Sequence, residues 1–178
     1  NATGRLATAP FWGADQVTIA GIARSDVVQV IAEVDQFRGR RQLKVTSIRA
    51  LPKGSVDRRD LLPSVGDVSG YWKTLDAWRA ELRRPRIQAV LSLFYDDDEF
   101  RTRYEDCPAS LAGHHAELGG LLKHTCEVAS IARQISRVCD ANWDGVLAGA
   151  LLHDIGKVES YRWDGAFEYT DIGSLLGH

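Results

Sequence analysis

The sequence predicts an α+β chain with two units, a β-rich N-terminal unit followed by an all-helical one. Residues 11–50 are rich in β-branched side chains and poor in helix formers, whereas apolar residues recur with a helical period from residue 71 onward. Between them, residues 51–70 contain two prolines and three glycines, which is the composition of a connecting segment. The 178 residues are 44% hydrophobic with a net charge of −2. This composition provides for a core and excludes disordered, collagen-like and low-complexity proteins.

Three strands are predicted in the β-rich unit, at residues 17–19, 26–34 and 42–48. Apolar and mostly polar residues alternate along the second strand, so a half-buried strand is expected, with Val28, Val30, Ala32 and Val34 together on its buried face. A turn containing Gly39 joins the last two strands, and it carries Phe37, Arg38, Arg40 and Arg41. Three arginines beside an aromatic ring suit either a solvated hairpin tip or an edge that contacts phosphates and stacks on a base.

Five helices are predicted in the second unit. The first two cover about residues 71–84 and 86–95, and the last two cover about residues 117–139 and 144–155. The third follows the acidic residues 96–99, which can cap it, and ends at residue 105. The longest helix carries His124 on an apolar stripe made of Leu118, Leu121, Leu122, Val128, Ile131, Ala132, Ile135 and Val138. The last helix is expected to end at Gly156 and to place Asp154 on its apolar face. The tryptophans Trp72, Trp78, Trp143 and Trp163 are expected in the core or in domain contacts.

Asp154 is the residue that points to chemistry. A carboxylate on an apolar helix face is costly to bury unless it is paired, hydrogen-bonded or bound to a cation. The adjacent His153 and the earlier His124 offer imidazole nitrogens, and a mixed His/Asp set suits Mn²⁺, Fe²⁺, Zn²⁺, Co²⁺ or Mg²⁺ better than Ca²⁺. Such a metal lowers the pKa of a bound water and polarises a phosphoryl oxygen, as phosphate-ester hydrolysis requires. The alternative is a His/Asp hydrogen bond that only ties two helices together.

These residues resemble a known family. His124 together with residues 153–157, His-Asp-Ile-Gly-Lys, resembles the HD superfamily of metal-dependent phosphohydrolases. Residues 114–125, 148–157 and 168–178 more specifically resemble the YhaM-type 3′→5′ exoribonucleases, in which an OB fold precedes the HD domain. The resemblance implies a truncated OB-type β-barrel at residues 1–52, a linker at residues 53–70, and the N-terminal part of an all-α HD domain at residues 71–178. The family's first OB strands are expected before Asn1 and its later ligand aspartate after His178, so the chain is expected to be a piece of a longer protein.

The resemblance also implies roles for individual residues. The implied metal ligands are His124, His153, Asp154 and His178, and the implied catalytic residues are Asp154 and Lys157, the latter facing a phosphate or supporting the ligands. Mn²⁺ is the favoured ion, with Mg²⁺, Co²⁺, Fe²⁺ and Zn²⁺ as alternatives. The implied substrate is single-stranded nucleic acid, RNA before DNA, degraded from its 3′ end and held by Phe37, Arg38, Arg40 and Arg41. His114 and His115 are given no role.

Two other functions stay open from the sequence. The same metal site would serve a nucleotide or cyclic-dinucleotide phosphohydrolase, and the chain could instead be a non-catalytic nucleic-acid-binding module with a structural HD half. Three cysteines without Cys-x-x-Cys spacing argue against a disulfide scaffold and a thiolate zinc site, which favours a cytoplasmic location. No apolar run approaches the roughly 20 residues that span a bilayer, so no membrane helix is expected. The sequence leaves the oligomeric state open.

Overall fold

The computed structural model of the chain describes residues 8–11, 20–23 and 26–177, with the side chain of Arg58 excepted. The chain divides into two compact units, Asn1–Pro63 and Ser64–His178. The first contains an antiparallel β-hairpin and the second is mainly helical, which confirms the predicted fold class. The strand predicted at residues 17–19 lies outside the described residues. Residues 64–70, which the sequence assigns to the linker, lie in the second unit, where the Val65 N–H donates to the carbonyl of Leu118 over 2.9 Å.

The hairpin consists of β1 (Val28–Phe37) and β2 (Arg40–Ala50), paired in register from Val28 opposite Ala50 to Phe37 opposite Arg40. Its two-residue turn has Arg38 at φ 50° and Gly39 at φ 76°, the left-handed backbone that matches the twist of a tight hairpin. A 3₁₀ helix, Arg58–Leu61, follows in the same unit and begins at Asp57, whose carboxylate accepts the backbone N–H of Arg59.

The predicted buried face of β1 is only partly buried, so that prediction was wrong for two of its four residues. Val30 is 42% and Val34 76% exposed, whereas Val28 and Ala32 are half-buried. A β-bulge lies beside Ile31, where two residues of β2 are opposite one residue of β1. On both sides of the bulge, side chains continue to alternate between the two faces of the hairpin. Alternation in a sequence therefore identifies which side chains share a face, but burial also requires a second layer that covers that face.

The second unit contains seven helices and one short two-stranded sheet within the described residues. The elements are α1 (Ser69–Ala80), α2 (Pro85–Tyr95), α3 (Asp98–Asp106), α4 (Gly120–Val138), α5 (Trp143–Leu152), α6 (Lys157–Ser160), β3 (Tyr161–Arg162), β4 (Glu168–Tyr169) and α7 (Asp171–Leu176). Local sequence accounts for where two of these helices begin. Pro85 occupies the first turn of α2, and the Asp97 carboxylate accepts the Phe100 N–H over 2.7 Å at the start of α3, as the acidic step predicts.

The core of this unit lies between α4, α5 and the three helices that precede them. Leu75, Leu91, Leu121 and Leu147 are fully buried there. Trp72 is buried as well, and the other three predicted core tryptophans are partly buried against the same cluster, which confirms that prediction. None of the helices within the described part of the chain is long and apolar enough to cross a bilayer.

Two buried tyrosines link this core to the elements that carry the candidate site. The Tyr95 hydroxyl donates to the carbonyl of Leu151 over 2.7 Å, close to the end of α5. The Tyr104 hydroxyl lies 2.6 Å from the Thr125 hydroxyl, one residue after His124. Burial raises the pKa of both tyrosines above the ordinary value, so both remain protonated hydrogen-bond partners. The core thus fixes α4 and α5 at the level of the histidines.

The apolar stripe predicted on α4 divides into two faces. The buried face includes Leu121, Leu122 and Ala129, whereas Ile131 and Val138 on the other face are 61% and 86% exposed. Hydrophobic periodicity assigns apolar residues to a helix surface, but the positions of α1, α3 and α5 decide which part of that surface is covered.

The predicted end of α5 also needs correction. The helix stops at Leu152, and Gly156, at φ −66°, is in the right-handed helical region directly before α6. Gly156 therefore precedes the next short helix instead of ending α5 in a left-handed conformation. Asp154 lies in the turn between α5 and α6, and it is only 6% exposed, so its predicted burial is confirmed although its predicted helix is one turn too long.

Candidate metal centre

Three side chains from two elements meet at one point. His124 projects from the first half of α4, and His153 and Asp154 follow directly after α5. The Nε2 atoms of His124 and His153 are 3.3 Å apart, and the Asp154 Oδ2 atom lies 3.4 Å from the first and 3.1 Å from the second. Residues 29 positions apart in sequence therefore present a compact triangle of one oxygen and two nitrogens.

The size of this triangle suits a divalent cation. Ligand atoms at about 2.0–2.2 Å from one ion are separated from one another by about 2.8–3.1 Å at octahedral angles and about 3.3–3.6 Å at tetrahedral angles, or about 2.8–3.6 Å in all. All three observed separations fall in this interval, between 3.1 and 3.4 Å. Among the described residues this is also the one group of three potential ligands whose ligand atoms all lie within 4.8 Å of one another. The donor set therefore fits a single divalent metal ion.

The tautomer of His153 is set by the end of α5. The last turn of a helix leaves carbonyl groups without intrahelical partners. The Nδ1 atom of His153 lies 2.8 Å from one of these, the carbonyl of Ala150, and a carbonyl can only accept, so Nδ1 carries the proton. The lone pair is consequently on Nε2, the atom that faces His124 and Asp154. This is the tautomer that a metal ligand needs, fixed by a main-chain group.

Asp154 is balanced by a buried cation. Its Oδ2 atom lies 2.7 Å from the Nζ atom of Lys157, and the two side chains are 8% and 10% exposed. The turn after α5 makes this pair local, because the Lys157 N–H donates to the Asp154 carbonyl over 3.0 Å. A buried carboxylate of this kind is stabilised by a partner cation, and a metal bound at the same Oδ2 atom would add to that stabilisation.

Burial lowers the pKa of His124 below its ordinary value of 6.5. Attraction to Asp154 acts in the opposite direction, and repulsion from His153, Lys157 and His114 adds to the effect of burial. A lowered pKa keeps the imidazole neutral at more acidic pH, which is the state that offers a lone pair to a metal. The nearby thiol of Cys126 does not compete as a thiolate, since burial raises its pKa to about 12.

Two histidines that the sequence analysis leaves without a role also lie beside this centre. The ring centroids of His114 and His115 are 5.1 and 5.9 Å from that of His124. The Nε2 atom of His115 lies 2.8 Å from a carboxylate oxygen of Glu127, a residue on α4 that the sequence analysis does not select. The sequence did offer one signal, since Glu127 lies one turn after His124 on the predicted helix. Its contact with His115, however, depends on how the loop before α4 folds.

The predicted strand-binding residues belong to the first unit. At the tip of the β-hairpin, Phe37 is 57% exposed and the guanidinium carbon of Arg38 lies 5.2 Å from the centroid of its ring. Arg40 and Arg41 are exposed beside them, opposite Phe37 and Gln36 in the register. The tip thus carries three cations around an accessible aromatic ring. His178, the fourth implied metal ligand, lies outside the described residues.

Comparison with known proteins identifies an HD domain at residues 121–171. The chain is similar to proteins named 3′-5′ exoribonuclease YhaM from Bacillus subtilis, at 30% identity over 173 residues, and from Oceanobacillus iheyensis, at 29% identity over 173 residues. The corresponding protein of Listeria welshimeri is 28% identical over 180 residues. Each alignment covers 96% of this chain but 54–55% of the relative, so the chain spans about half the length of the curated relatives it matches. No solved structure matches it. Both resemblances stated from the sequence are confirmed by these matches.

Proposed function

We propose, from the premise that the chain is an HD-domain relative of the YhaM-type exoribonucleases, that it hydrolyses phosphodiester bonds of single-stranded RNA from the 3′ end. The observation that carries the proposal is the triangle formed by His124, His153 and Asp154, with edges of 3.1–3.4 Å, inside the residues matched as an HD domain. RNA preference and direction of attack follow the names of the relatives. DNA is the secondary substrate in this proposal, and the cytoplasm is the proposed location.

The triangle would hold a divalent metal, which when bound supplies Lewis acidity for phosphodiester hydrolysis. Mn²⁺ is the proposed ion, because two imidazoles and a carboxylate are typical ligands of first-row divalent metals. The chain's own groups then have distinct tasks. Asp154 and the two imidazoles would hold the metal, and the Ala150 carbonyl selects the tautomer of the neutral His153 ring that has its proton on Nδ1 and its lone pair on Nε2. Lys157 orients the carboxylate of Asp154 and adds positive charge that favours a phosphate.

His178 is the proposed fourth ligand. Its neighbour Gly177 accepts a hydrogen bond from the Ser160 hydroxyl over 2.6 Å. Ser160 ends the helix that begins with Lys157. The Thr170 N–H also donates to the Ser160 carbonyl, and Gly173 packs so closely on that carbonyl that a Cβ there would lie 2.1 Å from its oxygen. These contacts hold Gly177 against the end of α6, and the assignment of His178 itself follows from the resemblance to the HD superfamily.

The hairpin tip is the proposed strand-binding element of an OB-type domain at residues 1–52, joined through residues 53–70 to the HD domain at residues 71–178. Exposed arginines bind phosphates through charge-assisted hydrogen bonds, and an exposed phenyl ring stacks on any base. The exposure of Phe37, Arg40 and Arg41 supports this assignment. Binding through these groups would be largely independent of sequence.

The decisive experiment uses the full-length protein and a 5′-labelled single-stranded RNA, with Mn²⁺ or with a chelator. Wild-type protein is expected to shorten the RNA stepwise from its 3′ end only when the metal is present. His153→Ala and Asp154→Ala should each abolish shortening. Gln134→Ala, which alters an exposed polar residue on the helix that carries His124, is the matched control and should behave as wild type.

Other outcomes would select another function. RNA that stays intact while Mn²⁺ binds would contradict the exonuclease proposal and favour hydrolysis of a nucleotide or cyclic dinucleotide, which the same protein sample can test directly. Intact RNA without metal binding, combined with salt-sensitive oligonucleotide binding that Asp154→Ala leaves unchanged, would favour a nucleic-acid-binding module.

A further inference from the structure

The loop before α4 places two histidines beside the metal centre, although the reaction proposed above assigns them no task. Ser110 braces this loop, because its hydroxyl accepts the Gly113 N–H and donates to the His114 carbonyl, both over 2.9 Å. The Ala109 N–H donates to the His115 carbonyl over 3.1 Å. The two histidines therefore sit in a hydrogen-bonded turn with a defined backbone path.

The backbone at His115 adopts the left-handed conformation, with φ 55°. This region favours glycine, so a histidine persists there only when its surroundings determine it. One such constraint is the start of α4, where the His115 carbonyl oxygen would lie 2.1 Å from a Cβ atom on Gly120. The glycine lets the loop pack directly on the helix that carries His124.

The ring of His115 is held between carboxylates. Its Nε2 atom lies 2.8 Å from Glu127, and its Nδ1 atom lies 3.7 Å from Glu117, which also accepts from Lys123 over 3.2 Å. The side chain is 16% exposed. Both ring nitrogens of His115 thus face groups of the protein, and the ring serves to anchor the loop.

His114 differs from His115 in its exposure and in the contacts of its ring. It is exposed, and its ring forms no hydrogen bond or ion pair with any residue in the described ranges. Its ring centroid is nevertheless 5.1 Å from that of His124 and 5.3 Å from that of His115. The anchored loop therefore presents an imidazole with uncommitted nitrogens next to a proposed metal ligand.

We propose that His114 is a substrate-binding residue that donates an imidazole N–H to a non-bridging oxygen of the phosphate at the metal centre. His115 and Glu127 act as positioning residues for it. The inference rests on the proposed function and deepens it by naming the group that recognises the phosphate. Charge favours this ligand class, because Glu117 and Glu127 contact His115 and Lys123, whereas the exposed His114 ring makes no ion pair with a carboxylate among the described residues.

The test is calorimetric binding of adenosine 5′-monophosphate, the type of product that 3′-terminal hydrolysis of RNA releases, to the full-length protein with Mn²⁺. His114→Ala should raise its Kd about 10- to 100-fold, the effect of losing one hydrogen bond to a charged group. Titration of the same variant with Mn²⁺ alone should match wild type within about twofold. His114→Gln, which keeps an N–H donor, should recover part of the affinity, and Gln134→Ala should leave it unchanged.

Three results would overturn the inference: a wild-type protein that does not bind the nucleotide, a His114→Ala Kd within about threefold of wild type, or loss of Mn²⁺ binding in that variant, which would make His114 a metal ligand. RNA shortening is measured in parallel. If wild type leaves RNA intact while His114→Ala still loses nucleotide affinity, the exonuclease proposal fails and the phosphate site stands. If wild type shortens RNA and the KM of His114→Ala is unchanged, the phosphate site fails alone.

The positioning role of Glu127 has its own readout. Glu127→Ala frees the His115 ring and should raise the nucleotide Kd by a smaller factor than His114→Ala does. Glu127→Gln retains an oxygen that accepts the His115 N–H, so it should restore the wild-type Kd. Equal Kd values for Glu127→Ala and wild type would show that the anchor does not position His114.

Discussion

The candidate metal centre and the hairpin tip hold their proposed functional side chains in different ways. At the metal centre, Asp154 and Lys157 are buried against each other, and His153 is oriented by a carbonyl at the end of a helix. At the tip, Phe37 is 57% exposed and its one described aromatic contact is with the neighbouring Arg38. The packing at the candidate metal centre holds the ligand atoms at defined distances from one another, whereas the exposed side chains at the tip are free to change conformation. Chemistry at a metal requires the former, and sequence-tolerant strand binding is served by the latter.

The largest expected effect is that of removing the carboxylate at the centre. Asp154→Ala should lower metal-dependent RNA hydrolysis at least about 100-fold, because loss of a ligand should exceed the 10- to 100-fold effect typical of a group that only supports one. It should also destabilise the fold by about 3–5 kcal/mol, because Lys157 would remain buried without its carboxylate. Turnover assays and chemical denaturation measure the two effects, with Gln134→Ala on the exposed surface of α4 as control. Unchanged stability would show that Lys157 finds another partner.

Metal binding should stabilise the fold, since the ligands come from two elements that only the native state brings together. At a free Mn²⁺ concentration 100 times the Kd, the free energy of unfolding should rise by about 2.7 kcal/mol. Thermal unfolding with and without chelator measures the increase, and His124→Ala should remove it. An equal Mn²⁺ effect in wild type and that variant would place the bound ion outside the triangle.

A smaller effect is expected at the tip, where no single contact dominates. Arg40→Ala combined with Arg41→Ala should weaken RNA binding about tenfold or less, and the slope of log K against log salt should fall by about 1.4, or 0.7 per lost phosphate contact. Fluorescence anisotropy at several salt concentrations gives both values. The pair Lys53→Ala and Arg49→Ala, farther along the same unit, serves as comparison. A salt slope that does not change would mean that the tip does not contact the strand.

The smallest expected effect concerns pH. Burial lowers the pKa of His124 below 6.5 in the folded chain, so the unfolded chain binds more protons between the two pKa values. The contribution to stability is complete above pH 6.5, and it is lost progressively as the pH falls from there toward the lowered pKa. Denaturation of the metal-free protein between about pH 5 and 8 measures this dependence. His124→Gln should flatten it, and a slope of opposite sign would show that Asp154 dominates over burial.

Much of the helical unit could be predicted from local chemistry. The acidic step before α3 and the apolar surroundings of Asp154 were both visible in the sequence, because capping and the cost of burying a charge act over a few residues. The meeting of His124 with the His153-Asp154 pair was expected from a family resemblance. The structure then supplied what spacing alone does not give, namely which atoms face one another.

Two of the errors share one physical cause. Val34 on the hairpin and Ile131 on α4 are apolar and correctly periodic, yet exposed, because burial depends on which other elements cover a face. Gly156 was expected to end a helix, but a short helix follows it at ordinary backbone angles. His114 and His115 gave no signal of their own, since a tight turn and a close approach at Gly120 bring them to His124. Long-range packing is not encoded in any local window.

The carbonyl of Ala150 has a consequence for how this centre responds to mutation over evolutionary time. The group that fixes the His153 tautomer belongs to the main chain, so replacement of the Ala150 side chain does not delete it. A side-chain acceptor in its place would be lost through a single base change in the gene. The tautomer of His153 is therefore maintained for as long as the last turn of α5 keeps its helical backbone.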